Sequence, residues 1–225
     1  MVKNLLVITG AAFIATYIPA QLFGWDEPFA LFGLQPYAVT HNLFVWQLFT
    51  YLFLHWGFFH IIFNLFALWM FGADLENTWG SRRFLFYYFL TGVGAGVINV
   101  LLSPSALSQT IGCSGAIYGL LLAYGVLFPD RPIYLYFFIP IKAKWFVILM
   151  GVIEFVTSFS QPGSGISHIS HLGGMLVGFL YLRGRGLPWS LQNSYQEWRR
   201  ARLRRKFEAY MRKGDRNDRA DHWLN

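Results

Sequence analysis

Six apolar runs recur along the chain, each near the roughly 20 residues that a helix needs to cross about 30 Å of hydrocarbon. They cover roughly Leu5–Leu22, Phe53–Phe71, Phe84–Leu102, Gly112–Phe128, Trp145–Ser160 and Ile166–Leu182. Backbone groups in lipid must find their hydrogen bonds within the chain, so runs of this length predict helices. The expected fold class is an all-α membrane protein: a six-transmembrane-helix bundle over residues 1–182, then a tail over residues 183–225. The first run follows Met1-Val2-Lys3, as a signal peptide would. Its apolar stretch is long and no pair of small residues marks a cleavage point, so it reads as a membrane anchor. The eight-residue run Ile133–Pro140 is too short to span and is expected at the membrane interface.

Composition agrees. Of the 225 residues, 55% are hydrophobic, 20% aromatic and only 13% charged. That excludes a disordered chain and argues against an ordinary soluble domain, where about a quarter of residues are charged. Cys113 is the single cysteine, which excludes an internal disulfide and a thiolate metal cluster.

Charge then orients the spans. Residues 1–181 hold six Lys/Arg and six Asp/Glu, and the last 44 hold twelve basic and five acidic side chains, which accounts for the net +7. Cytoplasmic loops collect Lys and Arg, whereas short translocated loops avoid them. With both termini cytoplasmic, the inner segments carry Lys3, then Arg82 and Arg83, then Arg131, Lys142 and Lys144, then everything from Arg183 onward, which is all 18 basic residues. The three outer loops, Phe23–Leu52, Ser103–Ile111 and Gln161–Gly165, hold none.

The first outer loop is aromatic, with Trp25, Phe29, Phe32, Tyr37, Phe44 and Trp46, and is expected to rest partly in the headgroup region. The tail packs six basic residues into positions 199–206, with Leu203, Phe207, Tyr210 and Met211 at helical spacing. It reads as a basic amphipathic helix on an anionic inner leaflet, and its place beside a membrane explains the charge without nucleic acid. The chain shows no internal repeat of the kind many secondary transporters have.

Polar residues inside spans are costly, so each is a functional candidate. They are His60 and Asn64 in the second span, Ser114 and Tyr118 in the fourth, Glu154 in the fifth, and His168 and His171 in the sixth. Spans two, four and six all run from outside to inside, which brings His60, Asn64, Ser114 and His171 to one layer below the outer face. Small residues let membrane helices approach until backbones touch. Gly115 and Gly119 lie four apart on the fourth span, and Gly174 and Gly178 share the face of His171 on the sixth. Close packing of those spans would bring Ser114 within reach of His171.

Given that proximity, a neutral imidazole can take the proton of a serine hydroxyl, making His171 a base and Ser114 a nucleophile. No Asp or Glu is expected at the same depth, so the pair reads as a dyad, with Glu154 too deep in its helix to act as the base. His60 and Asn64, four apart on one helix face, can both donate to an oxyanion, as can the backbone amides of the helix that Ser114 starts.

Three segments carry a resemblance. Gly112-Cys113-Ser114-Gly115 with Tyr118 resembles the Gly-x-Ser-Gly signature of the rhomboid intramembrane serine proteases. His168-Ile169-Ser170-His171-Leu172-Gly173-Gly174-Met175-Leu176-Val177-Gly178 is similar to that family's last-span motif. His55-Trp56-Gly57-Phe58-Phe59-His60-Ile61-Ile62-Phe63-Asn64 is similar to its second-span motif, and Glu76 with Gly80 to the pair that closes that span. The resemblance covers roughly residues 46–182. It implies a water-accessible cavity open to the outside, with Ser114 as nucleophile, His171 as general base, His60 and Asn64 as oxyanion support, and Tyr118 packed against His171 to orient it. Substrates would be single-pass transmembrane proteins cut in or beside their spans; no metal or cofactor is implied. Family loops commonly carry Trp-Arg before the second span, where this chain has Trp46-Gln47, so a polar anchor survives and its charge does not.

Other readings compete. A metal site built from His55, His60, His168 and His171 lacks a His-Glu-x-x-His pattern. The Gly-x-Ser-x-Gly elbow of soluble hydrolases is contradicted by Ile117. A rhomboid-like protein that binds transmembrane clients without cutting them is the alternative function, though loss of Ser114 or His171 would be its mark. A transporter would need a continuous polar path across the bilayer. A bacterial cytoplasmic membrane, with the site toward the periplasm or exterior, is the simplest expected location.

Overall fold

A computed structural model describes residues 1–135, 138–160, 168–184 and 202–204. The chain divides into two compact units, Met1–Arg185 and Gly186–Asn225. In the second, residues 202–204 form one exposed helical turn. The rest of the expected amphipathic tail and the outer loop Gln161–Gly165 lie outside the described residues.

In the first unit, helix α1 (Val2–Phe23) ends where Gly24 turns left-handed at φ 65°. The aromatic stretch that follows folds into three short helices, α2 (Glu27–Phe32), α3 (Pro36–His41) and α4 (Gln47–Thr50), and a 3-10 turn, Tyr51–Phe53. Backbone bonds in both directions between Leu34 and Thr110, 2.9 and 2.8 Å, tie it to the loop before the Gly112 motif. Gln47 is fully buried and accepts from the Gln35 amide at 3.0 Å. Its Nε2 donates to the carbonyls of Ala30 at 3.3 Å and Leu31 at 3.2 Å. A neutral amide thus anchors the loop at the position where the family commonly has Arg.

Helices α5 (Phe58–Trp79) and α6 (Ser81–Leu102) follow. The second span therefore begins and ends later than the expected Phe53–Phe71. Its first residues form the 3-10 turn and a loop closing at Gly57, φ 107°, while the helix runs on to Gly80, φ 80°, a conformation that costs glycine little. The Gly80 amide bonds the Glu76 carbonyl at 2.8 Å, and the Glu76 carboxylate accepts from the Val2 amide at 2.9 Å and Ser81 Oγ at 2.5 Å. That corner joins the starts of α1 and α6.

Helix α7 (Ser114–Leu127) leads into a short antiparallel hairpin, β1 (Pro132–Leu135) and β2 (Ile139–Lys142), in a mostly helical chain. The apolar run too short to span thus pairs its own backbone groups. Asp130 at the hairpin's base meets Lys144 at 3.1 Å and Lys142 at 3.3 Å, bonds that hold its carboxyl below the usual range. Helices α8 (Ala143–Ser160) and α9 (His168–Gly184) complete the unit.

Among the described residues, four helices, α1, α5, α6 and α8, are long and apolar enough to cross a membrane. Helix α7 has 14 residues, about 21 Å of rise, and α9 has 17. Large apolar side chains stay exposed on α1 (Val7, Ile14), α5 (Phe59, Phe63) and α8 (Phe155, Val156), the surface expected where the solvent is lipid. Helix α7 is buried along most of its length.

Candidate active site

Glycine brings α7 and α9 together. A Cβ on Gly174 would collide with the Gly115 carbonyl, so the two backbones meet where a side chain would stand. The remaining glycines do not pair across these helices as the sequence suggested. Gly119 makes room for Thr91 of α6, whose Cβ would stand 2.5 Å from an added one, and Gly178 makes room for the Tyr87 hydroxyl of α6. Tyr87 donates that hydroxyl to the Gly119 carbonyl at 2.8 Å. A third helix is thus clamped onto the first two, because α6 supplies bulk where α7 and α9 have none.

The contact puts Ser114 Oγ 2.7 Å from His171 Nε2. Ser114 is the first residue of α7, and His171 is buried one turn into α9. Gly112 shapes the approach to α7 with φ 107°, and its amide bonds the Tyr51 carbonyl at 2.9 Å. A Cβ there would stand 2.8 Å from His60 Nε2, so this glycine allows the histidine its place beside the turn. The Tyr118 ring lies parallel to that of His171, centroids 4.3 Å apart at 13°.

His60 stands edge-on to His55 with centroids 4.9 Å apart, beside the Gly112 turn. Asn64 is also buried, but its Nδ2 donates to the His60 carbonyl at 2.8 Å. The Asn64 amide thus finds the carbonyl of its own preceding turn.

The acidic residue is where sequence reasoning fell short. Glu154 reads from the sequence as too deep in its helix to act as the base, and its Oε2 lies 3.0 Å from His171 Nδ1 and 2.6 Å from His168 Nδ1, while Tyr118 donates its hydroxyl to Oε1. The approach to His171 Nδ1 is bent from a straight hydrogen bond, at ion-pair distance. Residue counting gives depth along one helix but not how far α8 is shifted against α9. A lone carboxylate in a span was the available signal.

Glu154, His168 and His171 offer three potential metal-ligand atoms within 4.8 Å of one another. Ligand atoms at about 2.0–2.2 Å around a tetrahedral zinc stand about 3.4 Å apart. The spacings of 2.6 and 3.0 Å instead suit protons shared between nitrogen and oxygen.

Comparison with known proteins places this arrangement. The family model described as "Rhomboid domain" matches residues 43–185, well over half the chain. "Rhomboid protein 1, mitochondrial" of Saccharomyces cerevisiae is 26% identical over 194 residues, 83% of this chain and 54% of the relative. "Rhomboid protease GluP" of Bacillus subtilis is 32% identical over 164 residues, 72% of this chain and 30% of the relative. "Rhomboid protease GlpG" of Salmonella paratyphi A is 25% identical over 168 residues, 74% of this chain and 58% of the relative. The chain spans at most 58% of the length of these relatives. With its apolar helices and the matched domain enclosing Ser114 and His171, the chain is a membrane-embedded member of the rhomboid family.

Proposed function

We propose that the chain is an intramembrane serine endopeptidase that cleaves transmembrane-segment substrates. The observation that carries this reading is the 2.7 Å contact between Ser114 Oγ and His171 Nε2. Two relatives bear the name rhomboid protease, which supports the same assignment.

In this reading Ser114 Oγ attacks the scissile carbonyl carbon as its proton passes to His171 Nε2. The tetrahedral oxyanion is met by amides at the start of α7, whose helix dipole favours negative charge there, and by His60 beside the Gly112 turn. The intermediate collapses, breaking the C–N bond, and the imidazolium returns its proton to the leaving amine. Water, deprotonated by the same nitrogen, then hydrolyses the acyl-serine. Asn64, bonded to the His60 carbonyl, would support that turn of α5.

The proposed topology has six spans over residues 1–182, with α7 and α9 as the fourth and sixth, and both termini cytoplasmic. The complete segregation of 18 basic residues supports it. The active site would then face the outer side, with the basic tail on the inner leaflet.

Fluorophosphonate labelling of detergent-purified protein, mapped by mass spectrometry, tests the assignment without a known substrate. Labelling at Ser114 that disappears in Ser114→Ala and His171→Ala is the expected result. Asn64→Ala should slow labelling by less than the about 10²- to 10³-fold that removal of a direct oxyanion donor costs. Wild-type labelling rates in folded His171→Ala would refute the assignment.

A further inference from the structure

We propose that Glu154 completes a carboxylate–imidazole–hydroxyl triad with His171 and Ser114, as the positioning residue that holds the Nδ1 proton of His171. The proposal rests on the reading of Ser114 and His171 as nucleophile and base. It departs from the dyad that the family resemblance implies.

Two contacts lie in sequence across the site. Ser114 Oγ is 2.7 Å from His171 Nε2, and on the far side of the same ring Nδ1 is 3.0 Å from Glu154 Oε2. For Nε2 to accept the serine proton it must carry the lone pair, so Nδ1 must carry the hydrogen. A carboxylate oxygen facing Nδ1 selects that tautomer, because it can only accept. When the serine proton arrives the ring becomes a cation in a site where His171 and Glu154 are both under a tenth exposed. A buried cation without a counter-charge is costly, and Glu154 supplies that charge without receiving a proton.

Glu154 is itself held for the task. Tyr118 donates to its Oε1 while stacking on His171, so one residue orients both the acid and the ring. His168 Nδ1 lies 2.6 Å from Oε2 and Thr157 Oγ1 lies 3.2 Å from that same nitrogen, which links the carboxylate to the start of α9 and to its own helix. These donors offset the burial of an anion, and they fix its second oxygen within reach of His171. A carboxylate that served only to join α7 and α9 would be satisfied by Tyr118 and His168 and would not need to face Nδ1.

The titratable groups facing His171 are Glu154 on α8, Tyr118 on α7, His168 on α9 and His60 on α5. Among them Glu154 is the one carboxylate, so its removal takes away the one anion that faces Nδ1. Full-length protein in detergent is labelled with a fluorophosphonate, as wild type and as Glu154→Gln. Gln still accepts from Tyr118, so joining of the helices is largely kept. Without the anion the Nδ1-protonated ring and the imidazolium that follows it both lose their partner. The labelling rate should fall by roughly 10- to 100-fold, less than the about 10⁴-fold cost of amidating the acid of a soluble serine-protease triad, because the Tyr118 stack still holds the ring.

An unchanged labelling rate in folded Glu154→Gln would overturn the proposal, even if its Tm fell. Failure of the wild-type protein to label at Ser114 would instead overturn the reading of the pair itself. Should Glu154→Gln not fold, nitrogen NMR of the histidine-labelled wild-type protein decides, with His171 assigned through His171→Gln. A neutral ring protonated on Nδ1 is the expected result, and a neutral ring protonated on Nε2 overturns the triad.

Discussion

The carbonyl of Gly115 occupies the place where any side chain on Gly174 would begin. Two helices distant in sequence therefore touch through their backbones, and the same contact sets the 2.7 Å separation of Ser114 and His171 one turn away. Stability and chemistry share this point, and a change there should disturb both.

Gly174→Ala is expected to push α9 from α7. Overpacking against side chains costs about 1–3 kcal/mol, and a backbone carbonyl cannot swing aside, so the loss should reach or exceed the top of that range. Thermal unfolding in detergent and Ser114 labelling should both fall. Gly10→Ala, on α1 with nothing within 4 Å of an added Cβ, is the control and should leave both near wild type.

Tyr118 touches the site in two ways that substitution can separate. Tyr118→Phe keeps the stack on His171 and loses the hydroxyl bond to Glu154; Tyr118→Leu loses both. One such bond is worth about 1.5 kcal/mol, so Phe should lower the labelling rate by about tenfold and Leu by more. Equal rates in the two variants would leave the stack with no part in orienting the histidine.

How much of this was legible follows from what a sequence encodes. The meeting of Ser114 and His171 was readable, because each lies at the head of its span and beside glycines that permit close approach. The division of those glycines was not, since Gly119 and Gly178 are filled by Thr91 and Tyr87 of a helix whose rotation no spacing rule gives. Glu154 was visible as a costly residue but not as a neighbour of His171, because the stagger between α8 and α9 depends on packing across the bundle. Gln47 reads as a weakened substitute for Arg until its buried amide is seen to meet the backbone of three residues.

That amide gives the next expectation. Gln47→Ala strips a partner from the part-buried Gln35 amide and from the Ala30 carbonyl, while the Leu31 carbonyl keeps the Trp46 indole N–H at 3.0 Å. A buried group left unpaired costs about 1–3 kcal/mol, and a part-buried one less. The stretch 27–50 should open locally before the bundle unfolds, and limited proteolysis should nick it faster than in wild type while cleavage within α6 is unchanged. Unaltered nicking would mean that the other ties of the stretch, among them Leu34–Thr110 and the Gln35 Nε2 bond to the Leu107 carbonyl at 2.7 Å, hold the loop without Gln47.

Tyr87 and Gly178 offer a test of the clamp by α6 that no single substitution provides. An added Cβ on Gly178 meets the Tyr87 hydroxyl first; the next ring atom is 3.3 Å away, which a slight shift accommodates. Tyr87→Phe alone removes the bond to the Gly119 carbonyl and should cost about 1 kcal/mol. Gly178→Ala alone should cost more, because the added Cβ meets a fully buried hydroxyl that is bonded to the Gly119 carbonyl. In the double variant the colliding oxygen is gone, so the Tm should exceed that of Gly178→Ala, although two changes have been made. Rescue of this kind is the signature of direct contact in a double-mutant cycle. Additive losses would instead show that α9 shifts as a whole to accept the alanine, independently of Tyr87.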